Sequence, residues 1–175
     1  MSLYKDMLHH LTLEMTRFYQ GDPKRIQHFL KVHSFARLIG EGESLDEETL
    51  FTLGSAALVH DIGIKPAEEK YGSCEGKLQE QEGPAPAREM LTSLGFEQKI
   101  IDRVCYLVAH HHTFDPVDGM DYRILLEADM LVNLYEDCLH KGDAAPSPET
   151  VEAALKNVFR TDTGRKLCKT MYNVE

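Results

Sequence analysis

Residues 53–63 read Leu-Gly-Ser-Ala-Ala-Leu-Val-His-Asp-Ile-Gly, and the prediction of the fold starts from this stretch. Small and apolar residues recur at helical spacing behind the acidic start at Asp46, which predicts a helix packed against others. His60 and Asp61 close the apolar stripe of this helix, so we expect both side chains to point toward the core. A carboxylate in the core is costly unless a partner compensates its charge.

The rest of the chain is also patterned as helices. Asp22-Pro23 is an N-cap with proline in the first turn, and the helix that it opens should run to about Gly40. Further helices are expected in the ranges 84–94, 100–108 and 121–140, with two short ones after the break at 142–148. The glycine-rich stretch 63–83 is expected to be mostly loop. With no βαβ alternation and no glycine-rich phosphate loop, we predict an all-α, single-domain helical bundle over residues 1–175.

The composition excludes several classes of protein. The 175 residues carry 19 Lys and Arg against 29 Asp and Glu, a net charge of −10, which argues against a nucleic-acid partner. No apolar run reaches the 18 or more residues of a membrane span, and the charged N-terminal stretch does not resemble a signal peptide. The four cysteines are widely spaced and predict free thiols. We therefore expect a cytoplasmic protein without membrane contact.

Histidines and acids collect at the ends of the apolar stripes. His28 lies on the helix after Asp22, and His111 continues the stripe of the helix 100–108. Asp129 lies within the apolar face of the helix 121–140. A divalent cation held by two such acids and nearby imidazoles would remove the cost of burying the carboxylates.

Each of these residues also has an ordinary structural interpretation. A single core histidine usually bonds a backbone carbonyl, Asp61 could cap a loop, and Asp129 could pair with Arg123. The run His110–His112 could be a solvated helix end. Helical geometry also does not choose between His28 and His33, which lie about 140° apart on one helix. The residues alone leave a metal site and a set of unrelated structural roles both open.

Four segments in order resemble the HD-domain superfamily of metal-dependent phosphohydrolases, over about residues 22–140. They are Arg25-x-x-His28-x-x-x-Val32, Ala56-Ala57-Leu58-x-His60-Asp61-Ile62-Gly63, His110–His112 and Ala128-Asp129. The resemblance implies a helical core with an N-terminal helix and C-terminal helices packed on it. It also implies that the metal is bound by His28, His60, Asp61 and Asp129.

The sequence departs from the family pattern at two positions. Gln79 stands where many two-metal members have a histidine, so the resemblance favours one metal. A second metal would use Glu80, or Glu82 in its place, with His110 and His111. Ile64 replaces the glutamate of a known single-metal nucleotidase group, which argues against that particular activity. The block Gln79-Glu80-Gln81-Glu82-Gly83 instead resembles a bacterial subgroup of small HD proteins.

The resemblance implies hydrolysis of a small phosphate ester, a nucleotide being the expected substrate. An imidazole and carboxylate site suits Mn²⁺, Fe²⁺, Co²⁺, Ni²⁺ or Zn²⁺, any of which activates water. The candidate catalytic residues are Asp61, Lys65, His110 and His111, and the candidate substrate ligands are Arg25, Lys65 and Lys70.

The alternative function is a non-catalytic, metal-dependent module that binds a nucleotide or a partner protein. The missing histidine at position 79 leaves room for it. The oligomeric state is open, a homodimer included.

Overall fold

A computed structural model describes residues 3–174, and it confirms the all-α prediction, since these residues contain helices and no strand. The helices are α1 (Leu3–Phe18), α2 (Pro23–Gly42), α3 (Glu47–Val59), α4 (Ile64–Tyr71), α5 (Gly76–Glu82), α6 (Pro84–Ser93), α7 (Gln98–Val108), α8 (Met120–Lys141), α9 (Pro148–Asn157) and α10 (Asp162–Tyr172). Within the described residues, no helix combines the length and the apolarity that crossing a bilayer requires.

Polar caps start the helices where the sequence predicts them. The Asp22 carboxylate accepts the backbone N–H of Arg25 at the start of α2, and Asp46 accepts that of Thr49 at the start of α3. Such caps satisfy backbone donors that the first helical turn leaves unpaired. They fix the starting points of the two helices whose later residues carry His28 and His60.

Helix α3 lies at the centre of the molecule. Every residue from Phe51 to Val59 is buried, and α1, α2, α7 and α8 all pack against this helix. A helix that is apolar on nearly all sides must be surrounded by other helices. His60 and Asp61 follow its last residue, so the His-Asp pair is delivered into the interior.

The prediction of a mostly irregular segment over 63–83 is wrong, because α4 and α5 occupy most of it. Pro66 falls in the first turn of α4, where the absent N–H of proline costs nothing, and Gly72 ends that helix in the left-handed conformation. Gly63 has a different role, since a Cβ there would lie 2.3 Å from the carbonyl oxygen of Gln79. The turn after Asp61 therefore packs directly on the end of α5.

The C-terminal helices are attached to α8 through a buried acid. The Glu127 carboxylate accepts the backbone N–H of Arg160 at 2.6 Å and that of Thr161 at 3.0 Å, together with the Thr161 hydroxyl. Burial raises the pKa of Glu127, and these hydrogen bonds work in the opposite direction. Apolar residues of α1, α9 and α10 belong to the same buried core as those of the central helices.

Candidate metal centre

Four of the predicted residues meet at one point in the interior. His28 comes from the second turn of α2, His60 and Asp61 from the turn after α3, and Asp129 from the middle of α8. His28 Nε2 lies 3.3 Å from Asp61 Oδ2, 3.2 Å from Asp129 Oδ1 and 3.3 Å from His60 Nε2. His60 Nε2 in turn lies 3.4 Å from Asp61 Oδ1 and 3.6 Å from Asp129 Oδ1.

The other nitrogens of these rings are already used. His60 Nδ1 lies 2.9 Å from the Ala57 carbonyl oxygen, and His28 Nδ1 lies 2.9 Å from Glu136 Oε2. Because a carbonyl or a carboxylate oxygen only accepts, both Nδ1 atoms must donate. The Nε2 atoms then direct their lone pairs at the two aspartates when the rings are neutral.

His111 joins this group as a fifth residue. It follows α7, is 1% exposed, and places Nε2 3.4 Å from Asp61 Oδ1. Its Nδ1 donates to the Val108 carbonyl oxygen at 2.7 Å, as His60 does to Ala57. The apolar stripe of the helix 100–108 therefore places His111 in the core, as the sequence predicts.

The donor atoms fit a transition metal. Atoms bound about 2.1 Å from one ion lie roughly 3.0–3.4 Å apart in octahedral or tetrahedral geometry, close to the separations found here. Among the described residues, His111 Nε2 and Asp129 Oδ1 are buried side-chain atoms without a hydrogen-bond partner. Buried polar atoms are normally satisfied, so these two atoms are available to a cation that accepts electron pairs, such as a metal ion.

The electrostatics of the metal-free cluster agree with this interpretation. Burial lowers the pKa of His28, but contacts with Asp129 and Glu136 and the charge of Asp61 outweigh it and raise the pKa to about 10. Burial likewise works against ionisation of Asp61, yet His60, His111 and His28 hold the pKa of its carboxyl well below the usual range. Without a metal, protons on the imidazoles thus compensate the two carboxylates.

The comparisons with known proteins give the family. The HD-domain model matches residues 25–151. The chain belongs to the HD-domain family. This places it in a superfamily of metal-dependent hydrolases, and the cluster of His28, His60 and Asp61 is able to hold a metal ion. Comparison with the curated proteins gives no match.

Two solved structures share the fold. A predicted HD superfamily hydrolase from an uncultured Thermotogales bacterium is 26% identical, with a TM-score of 0.64, covering 97% of this chain and 84% of the other. YpgQ of Bacillus subtilis, solved in complex with ADP, is 18% identical, with a TM-score of 0.66 and coverage of 97% and 89%. The resemblance to YpgQ shows the fold alone.

The neighbouring residues differ in how close they come to this centre. The donor atoms of Asp61, His111 and His112 lie within 4.8 Å of one another, so the structure groups His111 with His112 rather than with Glu80. Glu80 instead accepts from the His112 backbone N–H and the Thr113 hydroxyl and pairs with Lys77.

Two further residues near the histidine run are engaged elsewhere. His110 bonds the Tyr106 carbonyl oxygen and packs against the Tyr106 ring. Gln79, in the position of the family histidine, has its side-chain oxygen 3.2 Å from His112 Nε2. A second metal that uses Glu80, His110 and His111 stays a prediction.

The predicted substrate ligands lie in three different settings. Arg25 pairs with Glu68 at 2.6 Å, and Lys70 pairs with Glu82 at 3.0 Å. Lys65 is exposed, with its ammonium 5.2 Å from the centre of the Phe18 ring. Roles for Arg25, Lys65 and Lys70 in binding phosphate therefore remain predictions.

Three residues next to the centre were missed by sequence reasoning. The Tyr19 hydroxyl donates to the Asp61 carbonyl oxygen at 2.6 Å. The Tyr122 hydroxyl donates to the His110 carbonyl oxygen at 2.8 Å. Glu136 holds His28. Glu136 alone had a usable signal, because it follows Asp129 by seven residues on α8 and so lies on the same helical face.

Proposed function

We propose that the protein is a phosphohydrolase whose metal is held by His28, His60, Asp61 and Asp129. The observation that carries this proposal is the convergence of imidazole Nε2 atoms on the Asp61 and Asp129 carboxylates, with Asp129 Oδ1 buried and without a hydrogen bond among the described residues. Buried carboxylate oxygens are normally hydrogen-bonded to fixed protein donors, whereas the atoms that face these carboxylates are imidazole nitrogens, which bind either a proton or a metal ion.

The mixed donor set favours Mn²⁺, Fe²⁺, Co²⁺, Ni²⁺ or Zn²⁺ over the all-oxygen environment that Mg²⁺ prefers. When bound, such an ion lowers the pKa of a coordinated water and polarises a phosphoryl oxygen. The remaining steps fall to side chains around it.

Asp61 and His111 are the side chains that we assign to the reaction. Asp61 turns Oδ2 toward His28 and Oδ1 toward His111, so one oxygen can bind the metal while the other orients the attacking water. His111 Nε2 faces this region with no hydrogen-bond partner among the described residues. A proton on Nε2 would contact the phosphate or pass to the leaving group.

A nucleotide is the substrate class that we propose. The support is indirect: YpgQ, solved in complex with ADP, shares the fold over 97% of this chain. In a chain of net charge −10, phosphate must be bound by local cations or by the metal itself. Arg25, Lys65 and Lys70 are the candidates for the cations.

Turnover by the metal-loaded protein tests the proposal. Metal-free protein is reloaded with Mn²⁺, Ni²⁺, Co²⁺ or Zn²⁺ and offered nucleoside mono-, di- and triphosphates together with nitrophenyl mono- and diesters. We expect hydrolysis of at least one nucleotide with at least one metal, and none by Asp129→Ala prepared in parallel.

Stoichiometric metal binding without turnover of any ester would contradict the proposal. That outcome would favour the non-catalytic binding module instead. One observation supports this second function. Gln79 stands where two-metal members have a ligand histidine, and its side-chain oxygen lies beside His112 Nε2.

A further inference from the structure

We infer that Glu136 is a positioning residue of the metal centre, which fixes His28 in the tautomer that presents Nε2 to the metal. Glu136 Oε2 lies 2.9 Å from His28 Nδ1, and Glu136 Oε1 lies 2.6 Å from Lys31 Nζ. The Glu136 side chain is only 12% exposed. The inference rests on the proposed function, because it concerns the same metal.

The three histidines differ in what their Nδ1 atoms find. His60 and His111 follow the ends of α3 and α7, where the last carbonyl groups have no helical partner. Each donates Nδ1–H to the carbonyl three residues earlier, that of Ala57 or Val108. Local backbone therefore fixes the tautomers of these two rings.

His28 has no such acceptor. It lies in the interior of α2, where the helix uses its own carbonyl groups. Its Nδ1 must find an acceptor on another element, and the Glu136 carboxylate of α8 supplies it. Without this carboxylate, nothing in the hydrogen bonding of His28 would prefer the Nδ1–H tautomer.

Side chains of α8 therefore contact both nitrogens of the His28 ring. Asp129 Oδ1 faces His28 Nε2 at 3.2 Å, and Glu136, two turns further along, binds Nδ1. A carboxylate that accepts the far N–H of a metal-binding histidine orients the ring and makes it a stronger donor. His28 is the one histidine of the three whose Nδ1 meets a charged acceptor.

Lys31 completes the arrangement by holding the second oxygen of Glu136. It is one helical turn after His28 on α2, and its side chain is 41% exposed. An ion pair that is partly open to water adds little stability. Its role here is to fix the orientation of the side chain at position 136.

Glu136→Gln tests the inference because glutamine keeps the shape and loses one acceptor. The Lys31 ammonium can only donate, so it binds the amide oxygen of the new side chain and the amide NH₂ is turned toward His28 Nδ1. Because this NH₂ also donates, Nδ1 must accept, which favours the tautomer with a proton on Nε2. We expect the Kd for Mn²⁺ or Zn²⁺, measured by competition with a chelator, to rise about 10–100-fold.

A second substitution separates positioning from a structural role. In Lys31→Met/Glu136→Gln the amide oxygen is free to accept Nδ1–H, so we expect part of the metal affinity to return. Lys31→Met alone, measured in parallel, gives the effect on metal affinity of removing the Lys31 charge, and the tautomer role predicts a recovery in the double variant that is larger than this effect. Glu48→Gln is the matched control, because it breaks a 2.6 Å pair between Glu48 and Lys99 away from the centre.

The outcomes also distinguish this inference from the function on which it rests. If His28→Ala loses the metal while Glu136→Gln binds it within about twofold of wild type, the positioning role is wrong and the metal centre stands. A weakened Glu136→Gln without any recovery in the double variant also contradicts the tautomer argument. Unchanged metal binding in His28→Ala would overturn the metal centre itself.

Discussion

We expect His28→Ala to lose its metal during purification, while His33→Ala retains metal at the wild-type level. Metal binding at structural zinc sites is worth about 10–16 kcal/mol, so one ligand of four contributes roughly 3 kcal/mol, on the order of 10²-fold in affinity. Elemental analysis of the two variants, with thermal unfolding of their metal-free forms, gives the comparison.

His33 is a matched control because it lies on the same helix and is also engaged. Its Nδ1 is 3.0 Å from the Gly54 carbonyl oxygen, on the face of α2 that packs near α3. Burial lowers the pKa of His33, so it stays neutral near pH 7. Loss of metal from His33→Ala with retention in His28→Ala would show that the wrong face of α2 was assigned to the site.

The second large effect concerns His111. We expect His111→Ala to turn over substrate at least about 10²-fold more slowly, because one positioned proton donor or phosphate contact is commonly worth that much. Metal content should remain near that of the wild type, since the four proposed ligands are unchanged in this variant. Steady-state kinetics and elemental analysis of the same preparation check both statements.

His110→Ala tests the other histidine of the predicted catalytic pair. Its ring packs on Tyr106 rather than against the buried cluster, so we expect a smaller loss of turnover than for His111→Ala.

A fall of metal content by about half in His111→Ala would indicate a dinuclear site. Unchanged turnover and metal content in His111→Ala would leave His111 with a structural role only, through its hydrogen bond to the Val108 carbonyl oxygen.

The helical pattern predicted the frame of the site well because its signals are local. Caps at Asp22 and Asp46 and the apolar stripe before His60 depend on neighbours within a few residues. The stripe also placed His111 correctly in the core. Each of these residues lies where one helix, taken alone, would put it.

The error over 63–83 has a local cause, and the omissions have tertiary causes. Glycine and proline in 63–83 suggested a loop, whereas Pro66 lies in a first turn and Gly72 at a helix end. Glu136 and Tyr19 act on His28 and Asp61 across 108 and 42 positions of the sequence. The spacing from Asp129 places Glu136 on the right face of α8, but no local pattern reports which residue of another helix that face contacts, so the contact itself emerges only from the structure.

Anomalous diffraction from a crystal grown with Mn²⁺ or Zn²⁺ would show whether His28, His60, Asp61 and Asp129 bind a metal ion. We expect one strong peak per chain, in bonding distance of His28 Nε2, His60 Nε2 and a carboxylate oxygen each from Asp61 and Asp129. A structure with no anomalous peak among these four side chains, at a metal concentration that saturates the protein, would contradict this expectation.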